Sequence, residues 1–344
     1  MDTAAPAPQR SRKGLYIPLI LFALACLGWA GFWFFAKSRA LDVMDAWLAR
    51  EARLGREWTC PQRTAGGFPF RFEVSCTGPT FASAEPGRAG KGSLGALTVT
   101  ARVVDPRQVI AAATGPLKWT SEVGDSVEIT FDGARASYRG SGSALEELSI
   151  DLANPLFTYT APGLFTEKAA AGRAEFHMRR APGEEAATDL VLIASAIKSA
   201  LADQLTGETA NGRIDLRTRL TKLLPSPPRN WRETLELWRV AGGEARVEKL
   251  ALAKGPIVIE ATGALRLDET RRLDGEITGS AQGLPQILQA FGLGGNGGGL
   301  LGSLLSGGRP QQAQPAKALP FALRFAEGRL FIGPIPGPRL RPLF

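Results

Sequence analysis

The sequence predicts a mainly β protein of the α+β class: an N-terminal transmembrane helix followed by a large curved antiparallel sheet or groove with a few helices. Three observations predict it. Residues 15–36 run for 22 positions without a charge, about 33 Å as a helix against a hydrocarbon core of about 30 Å. From about residue 68 onward, apolar and polar residues alternate with period two over long stretches, the pattern of half-buried strands. Signals that start and stop helices are sparse. The 344 residues with 44% hydrophobic content suffice for a real core and exclude wholesale disorder.

Residues 1–14 are a Pro/Ala/Arg tail, expected to be disordered and cytoplasmic. Arg10, Arg12 and Lys13 precede the apolar run, and Lys37 and Arg39 follow it. Trp29, Phe32, Trp33, Phe34 and Phe35 suit the far interface, so the chain after residue 36 is expected to be exported. A cleaved signal peptide is the rival, because Ser38-Arg39-Ala40 loosely fits a cleavage site. The run is longer than the usual apolar region of about 7 to 15 residues and ends in bulky aromatics, which favours an uncleaved anchor. Residues 37–58 carry helical spacing at Leu41, Met44, Trp47, Leu48 and Leu54. This reads as a juxtamembrane amphipathic helix. Asp42, Asp45, Glu51 and Glu57 favour packing on the body over adsorption to anionic lipid.

Residues 59–290 read as a β-rich exported domain. It opens on Cys60 and Cys76, which bracket a turn at Gly66-Gly67 and the alternating run from Phe70 to Cys76. The even cysteine pair in an exported segment reads as a structural disulfide, worth about 3 kcal/mol for a loop of about 15 residues. A redox couple or metal site lacks a CxxC and a second ligand pair. Alternating runs follow at 97–104, 127–131, 134–138, 145–152, 172–180, 187–197, 212–220, 244–253, 256–268 and 272–283. Asp132-Gly133 predicts a hairpin between the second and third of these, and the segment 267–275 predicts another turn. Asn230 with Glu233 caps a helix over WRETLELWRVA that Gly242-Gly243 ends, and Pro285 opens a short one. Residues 291–318, with nine glycines between 291 and 308, read as a flexible linker or insertion. Residues 319–344 predict a terminal hairpin and a proline-rich tail.

The formal charge of +8 invites a nucleic-acid reading, but its distribution argues against one. Residues 1–14 net +2 and residues 309–344 net +5, leaving +1 for everything between. Basic ends of this kind suit membrane orientation and anionic lipid, and no nucleic-acid partner is expected. Gly292-x-Gly294-x-x-Gly297 matches a dinucleotide loop in letters only, since no strand precedes it and no acidic residue follows at the right distance. Gly90-Lys91-Gly92 lacks the rest of a P-loop. Gly124-Asp125-Ser126-Val127 resembles a hydrolase serine block, but the single histidine, His177, has Ala174 rather than an aspartate three places before it. The pairs Glu146-Glu147 and Glu184-Glu185 point to opposite faces on a strand and read as surface charge. Phe344 resembles the end of an outer-membrane barrel, which the helical anchor contradicts. No catalytic residue, cofactor or metal is expected, and the protein is not expected to be an enzyme.

The run CPQRTAGGFPFRFEVSC at 60–76 resembles the bacterial family called domain of unknown function 2125. Asp105-Pro106-Arg107-Gln108-Val109-Ile110 with Gly115-Pro116-Leu117, the stretch 255–283 and the ending GRLFIGPIPGP at 328–338 carry the same resemblance, which spans most of residues 40–338. The Gly-rich stretch 291–308 departs from it. The resemblance implies an inner-membrane-anchored envelope protein and no catalytic residues. The 255–283 pattern is more loosely similar to strands of AsmA-type envelope proteins, whose curved sheets shield acyl chains. The leading expectation is therefore a single-pass inner-membrane protein, N-terminus cytoplasmic and body periplasmic, whose apolar concave side holds or guides lipid. Phe70, Phe72, Val127, Ile129, Phe131, Ile257, Ile259 and Leu265 are expected to line that side, with ordinary core packing as the alternative for each. The second expectation is a scaffold of envelope complexes that binds protein partners through sheet edges or the proline-rich end.

Overall fold

The computed structural model describes residues 13–85, 89–141, 144–184, 186–223, 231–283 and 318–344. The cap at Asn230, the short helix at Pro285 and the glycine-rich stretch 291–308 lie outside the described residues, as do the first twelve positions of the tail.

The described residues begin with one helix, α1 (Lys13–Arg53), of 41 residues, about 60 Å long. The expected span and the expected juxtamembrane helix are thus continuous. Residues 56–58, expected to be the end of that second helix, instead open the first strand. The early strands are β1 (Arg56–Thr59), β2 (Gln62–Gly66), β3 (Arg71–Thr77), β4 (Thr80–Ser83), β5 (Gly90–Arg102), β6 (Gln108–Ser121), β7 (Ser126–Thr130) and β8 (Gly133–Ser141). Next come β9 (Ala144–Ala153), β10 (Leu156–Ala161), β11 (Phe165–Ala170), β12 (Arg173–Arg180) and β13 (Thr188–Ser199). After helix α2 (Ala200–Thr206) and β14 (Gly212–Leu220) comes helix α3 (Trp231–Val240). The chain closes with β15 (Ala245–Lys254), β16 (Ile257–Leu267), β17 (Leu273–Gln282), β18 (Leu319–Ala326), β19 (Arg329–Ile332) and β20 (Ile335–Arg339).

Among the described residues all twenty strands belong to one sheet, and every pairing is antiparallel. Five pairs of short strands lie end to end: β1 with β2, β3 with β4, β7 with β8, β9 with β10, and β11 with β12. The twenty strands therefore make fifteen long rungs, each hydrogen-bonded to the rung before it in sequence. At about 4.8 Å per step the sheet is roughly 67 Å across along its surface. The turns between rungs fall alternately at two ends. One end carries Phe68–Phe70, Val103–Arg107 and the β16–β17 turn; the other carries Glu122–Asp125, Pro162–Leu164 and Gly255.

The expected hairpin at Asp132-Gly133 does not form. Gly133 lacks the positive φ that a tight hairpin turn needs, and the chain instead runs straight on from β7 into β8. Both pair with the same long strand, β7 with residues 117–120 of β6 and β8 with residues 108–113. The Asp132 amide is held by the Ala153 carbonyl at 3.0 Å. Most of the other alternating runs became strands within a residue or two of their expected ends, but the run at 97–104 belongs to a longer strand that begins at Gly90, and the run at 134–138 extends to Ser141.

Register keeps the two faces of the sheet chemically distinct. Directly paired residues share a face. From β3 through β17, Phe72, Val99, Ala111, Ile150, Phe176, Leu192, Leu216, Leu250 and Ile277 follow one another on a single face. The opposite face carries charges in cross-strand pairs: Arg173 with Asp151 at 2.9 Å, Arg219 with Asp189 at 2.7 Å, Lys249 with Asp215 at 2.6 Å and Arg266 with Asp274 at 2.7 Å. Bulges preserve the division. Between Ala194 and Ile197, and between Val247 and Leu250, an extra residue shifts the alternation just where the sequence changes phase. On the apolar side, a Cβ at Gly263 or Gly279 would strike the neighbouring strand's carbonyl. The strands crowd together on that face, as they must on the inside of a curve.

The charged face titrates in acid. The Arg173 hydrogen bond lowers the Asp151 carboxyl, Arg219 lowers Asp189, and Lys249 followed by Arg217 lowers the buried Asp215. Their folded values lie below that of an unfolded aspartate, about 3.9. The stability they contribute is complete above that value and is lost as pH falls through the lower folded values. The urea midpoint should therefore be flat from about pH 7 to 5 and drop below about pH 4. Asp215→Asn should remove part of that drop and cost about 1–2 kcal/mol at neutral pH.

Candidate functional site

The apolar face is the feature that needs a partner, and α1 supplies one along its first rungs. The second half of α1 runs antiparallel to β1 and β2. From residue 29 to 53 it rises about 36 Å, matching the rung of eleven residues beside it at about 3.3 Å each. The indole of Trp29 donates to the Pro69 carbonyl at 2.9 Å, that of Trp33 to the Arg71 carbonyl at 3.1 Å, and the Lys37 ammonium to the Ala65 carbonyl at 2.9 Å. These donors stand four residues apart, on one stripe of the helix. Farther along, Asp45 accepts from Arg63 at 2.6 Å, and Glu51 accepts from Arg56 at 2.6 Å.

Aromatic rings fill the space between helix and sheet. Trp33 is only 2% exposed. It stacks on Phe72 at 5.8 Å and meets Phe68 edge-on at 5.4 Å, while Trp29 lies 6.3 Å from Phe70. A second series runs Trp47, Trp58, Phe81, Trp119 at spacings of 6.3, 5.2 and 5.5 Å. The Phe81 ring occupies the space that a side chain at Gly92 would need. The sequence placed Trp29 and Trp33 at a membrane interface but did not identify them as docking groups. Their four-residue spacing with Lys37 was the available signal. The disulfide expected between Cys60 and Cys76 is present, with Cα atoms 5.7 Å apart. It ties the start of the second strand segment to β3, with Cys76 buried beside Leu97.

The expected lining residues do not gather at one point. Phe72 and Phe70 lie against α1. Val127 and Ile129 sit on β7, paired with Trp119 and Leu117 on one side and with Tyr159 and Phe157 on the other. Phe131 follows the end of β7, half-buried. Ile257, Ile259 and Leu265 lie on β16, nine rungs from β3, about 43 Å along the sheet. They share a face rather than a site. Burial separates them further. Ile257 is 4% exposed, and Ala261, Ile277 and Ala281 on the same face of β16 and β17 are also buried, so this stretch is core. Phe70 is 72% exposed at the other extreme. Between them the face is half-open, with Leu192 at 40%, Tyr138 at 38% and Phe157 at 37% exposed.

Groups with catalytic potential lie on the charged face. His177 faces Ser149 across the β9–β12 ladder, with Nδ1 and Oγ 3.0 Å apart. Ser149 is paired with Ser137 on its other side, so its backbone sits inside a ladder and offers no pair of free amides to an oxyanion. Ser126 is on β7, opposite Thr120 and Thr160. Among the described residues no three His, Cys, Asp or Glu side chains converge as a metal site.

Removing the Trp33 ring tests the docking. Trp33→Ala should cost about 3–5 kcal/mol of helix–sheet packing and accelerate amide exchange over residues 67–72, whereas Trp33→Phe should lie between it and the parent.

A family model described as "Uncharacterized protein conserved in bacteria (DUF2125)" matches residues 33–339. No curated protein and no solved structure matches the chain.

Proposed function

Since the chain belongs to the DUF2125 family of bacterial proteins, whose description names no activity, we propose its function from its surface: an inner-membrane-anchored periplasmic protein that binds or guides lipid along the apolar face of its sheet. The observation that carries this reading is the extent of that face. Apolar side chains follow one another on one side of successive rungs from β3 to β17, yet Leu192, Tyr138 and Phe157 remain more than a third exposed. The backbone polar groups are consumed in the plane of the sheet, so the face offers an occupant little besides hydrocarbon. A long, apolar, laterally mobile occupant fits such a surface, and an acyl chain has that chemistry. Covering it removes apolar area from water at about 25 cal/mol per Å².

Location follows from three supports. The apolar part of α1 is long enough to span a bilayer. The basic residues before it favour a cytoplasmic N-terminus. The Cys60–Cys76 disulfide suits an oxidising compartment such as the periplasm. Cleavage near Ser38-Arg39-Ala40 would strip Trp29, Trp33 and Lys37 from their carbonyl partners, which supports a retained anchor. The reading assigns no catalysis: the cross-strand Ser149–His177 pair works as part of the polar face. Protein partners at the far edge are a weaker reading, because Pro336 and Pro338 in β20 each remove a donor that an added strand would need.

Two measurements check the proposal. A photo-reactive phenylalanine at position 192 or 157 of the full-length protein in cells should yield phospholipid-mass adducts, and the same group at Arg173 on the charged face should not. Equal yields on both faces, or none on the apolar one, would sink lipid binding. Alkaline phosphatase joined after residue 60 should be active, and an inactive fusion would reverse the topology.

A further inference from the structure

The strand end nearest the helix anchor has a composition that neither the disulfide nor the apolar face explains. The turn between β2 and β3 carries Phe68 at 54% and Phe70 at 72% exposure, and the adjoining turn after β5 carries Val104 at 71%. The two turns are joined by the Val103 amide donating to the Phe70 carbonyl at 3.1 Å. Three large apolar side chains therefore project from one corner of the sheet. Around them stand Arg71, whose side chain is 64% exposed, and the exposed Arg102 and Arg107. Among the described residues, Arg102 and Arg107 have no carboxylate partner.

The hydrogen bonds to α1 set the depth of this corner. Pro69 is held by Trp29 and Arg71 by Trp33. Trp29 is seven residues and Trp33 three residues inside the end of the uncharged run at Ala36, about 10 and 5 Å along the axis. Lys37, the first charge beyond that run, is bonded to Ala65 on β2, farther from the turn. If α1 crosses a bilayer, as the functional reading has it, the turn cannot stay in the water above it.

We infer that the corner formed by Phe68–Phe70 and Val104 is immersed in the leaflet from which α1 emerges, with Arg71, Arg102 and Arg107 spread over its anionic phospholipid headgroups. Aromatic rings at headgroup depth and arginines reaching outward are the chemistry that an interface favours. The inference rests on α1 as a membrane span but not on lipid transport. Its consequence for the sheet is that the apolar face begins within the bilayer, at Phe72, so a lipid need not cross water to reach it.

The test uses the full-length protein in bilayers of phosphatidylethanolamine and phosphatidylglycerol, with Cys26→Ser to free the background and the disulfide kept. An environment-sensitive fluorophore is placed singly at Phe70→Cys, at Leu24→Cys within the span, or at Val123→Cys, an 82% exposed apolar position at the opposite end of the rungs. Nitroxide-bearing lipids should quench emission at 24 and 70 and leave 123 unchanged. Quenching at 24 without quenching at 70 would overturn the immersed corner while leaving the anchor intact. Absence of quenching at 24 would remove the anchor itself, and the inference with it. Quenching at 70 should weaken when phosphatidylglycerol is replaced by phosphatidylcholine, and no change on replacement would overturn the role given to the arginines.

Discussion

The architecture depends on one constraint, the separation of apolar and charged side chains onto opposite faces of a single antiparallel sheet. A sheet of one layer has no second sheet to hide its hydrophobic face, so its side chains must find cover in curvature, in a helix or in a partner. Curvature serves β16 and β17, where Ile257, Ala261, Ile277 and Ala281 are buried. The helix serves the first rungs, where Trp33 closes over Phe72. The middle rungs remain half-open. The charged face needs no cover, because its arginines and lysines pair with carboxylates across the strands while staying largely in water, where an exposed pair is worth little and one on a buried carboxylate such as Asp215 contributes more.

Helix and sheet are joined by groups chosen for two environments at once. A tryptophan offers a large apolar ring and a single donor, and Trp29 and Trp33 use both: rings against phenylalanines, N–H groups on the carbonyls of Pro69 in the β2–β3 turn and Arg71 at the start of β3. Lys37 on the Ala65 carbonyl, with Asp45 and Glu51 on Arg63 and Arg56, holds the rest of α1 along β1 and β2 and blunts an edge that would otherwise invite pairing with another chain. At the opposite edge, β20 reaches that end by composition, through its prolines.

Much of this was legible in the sequence because its signals are local. Period-two alternation located β9 and the strands from β12 to β17 but not β10 and β11 between them, and the cysteine spacing located the disulfide. What failed or was missed depended on distant groups. Asp132-Gly133 has the letters of a tight turn, but β6 is long enough to pair with the strands on both sides of it, and that pairing overrides the dipeptide. Helix α2 went unread, although Ser199 caps it by accepting from the Ala202 amide at 3.1 Å and Gly207 ends it in a left-handed conformation. Its seven residues fall too short for periodicity to register. For the lining residues, period two gives only a face of a strand, and Phe70 and Phe131 lie outside the strands. Whether Ile257 is core and Phe70 is exposed depends on curvature and on the position of α1, which no local pattern encodes.

The order of the rungs has a consequence for how the protein is made. Each rung pairs with the one that precedes it in the chain, so among the described strands every pairing joins consecutive rungs and none has to close a loop across the whole chain. A chain threaded across a membrane from its N-terminus would present α1 first, then the rung that docks on it, then each further rung onto an edge already formed. Synthesis, translocation and assembly can then proceed in the same direction, with the anchored helix as the template and the newest strand always at the growing end.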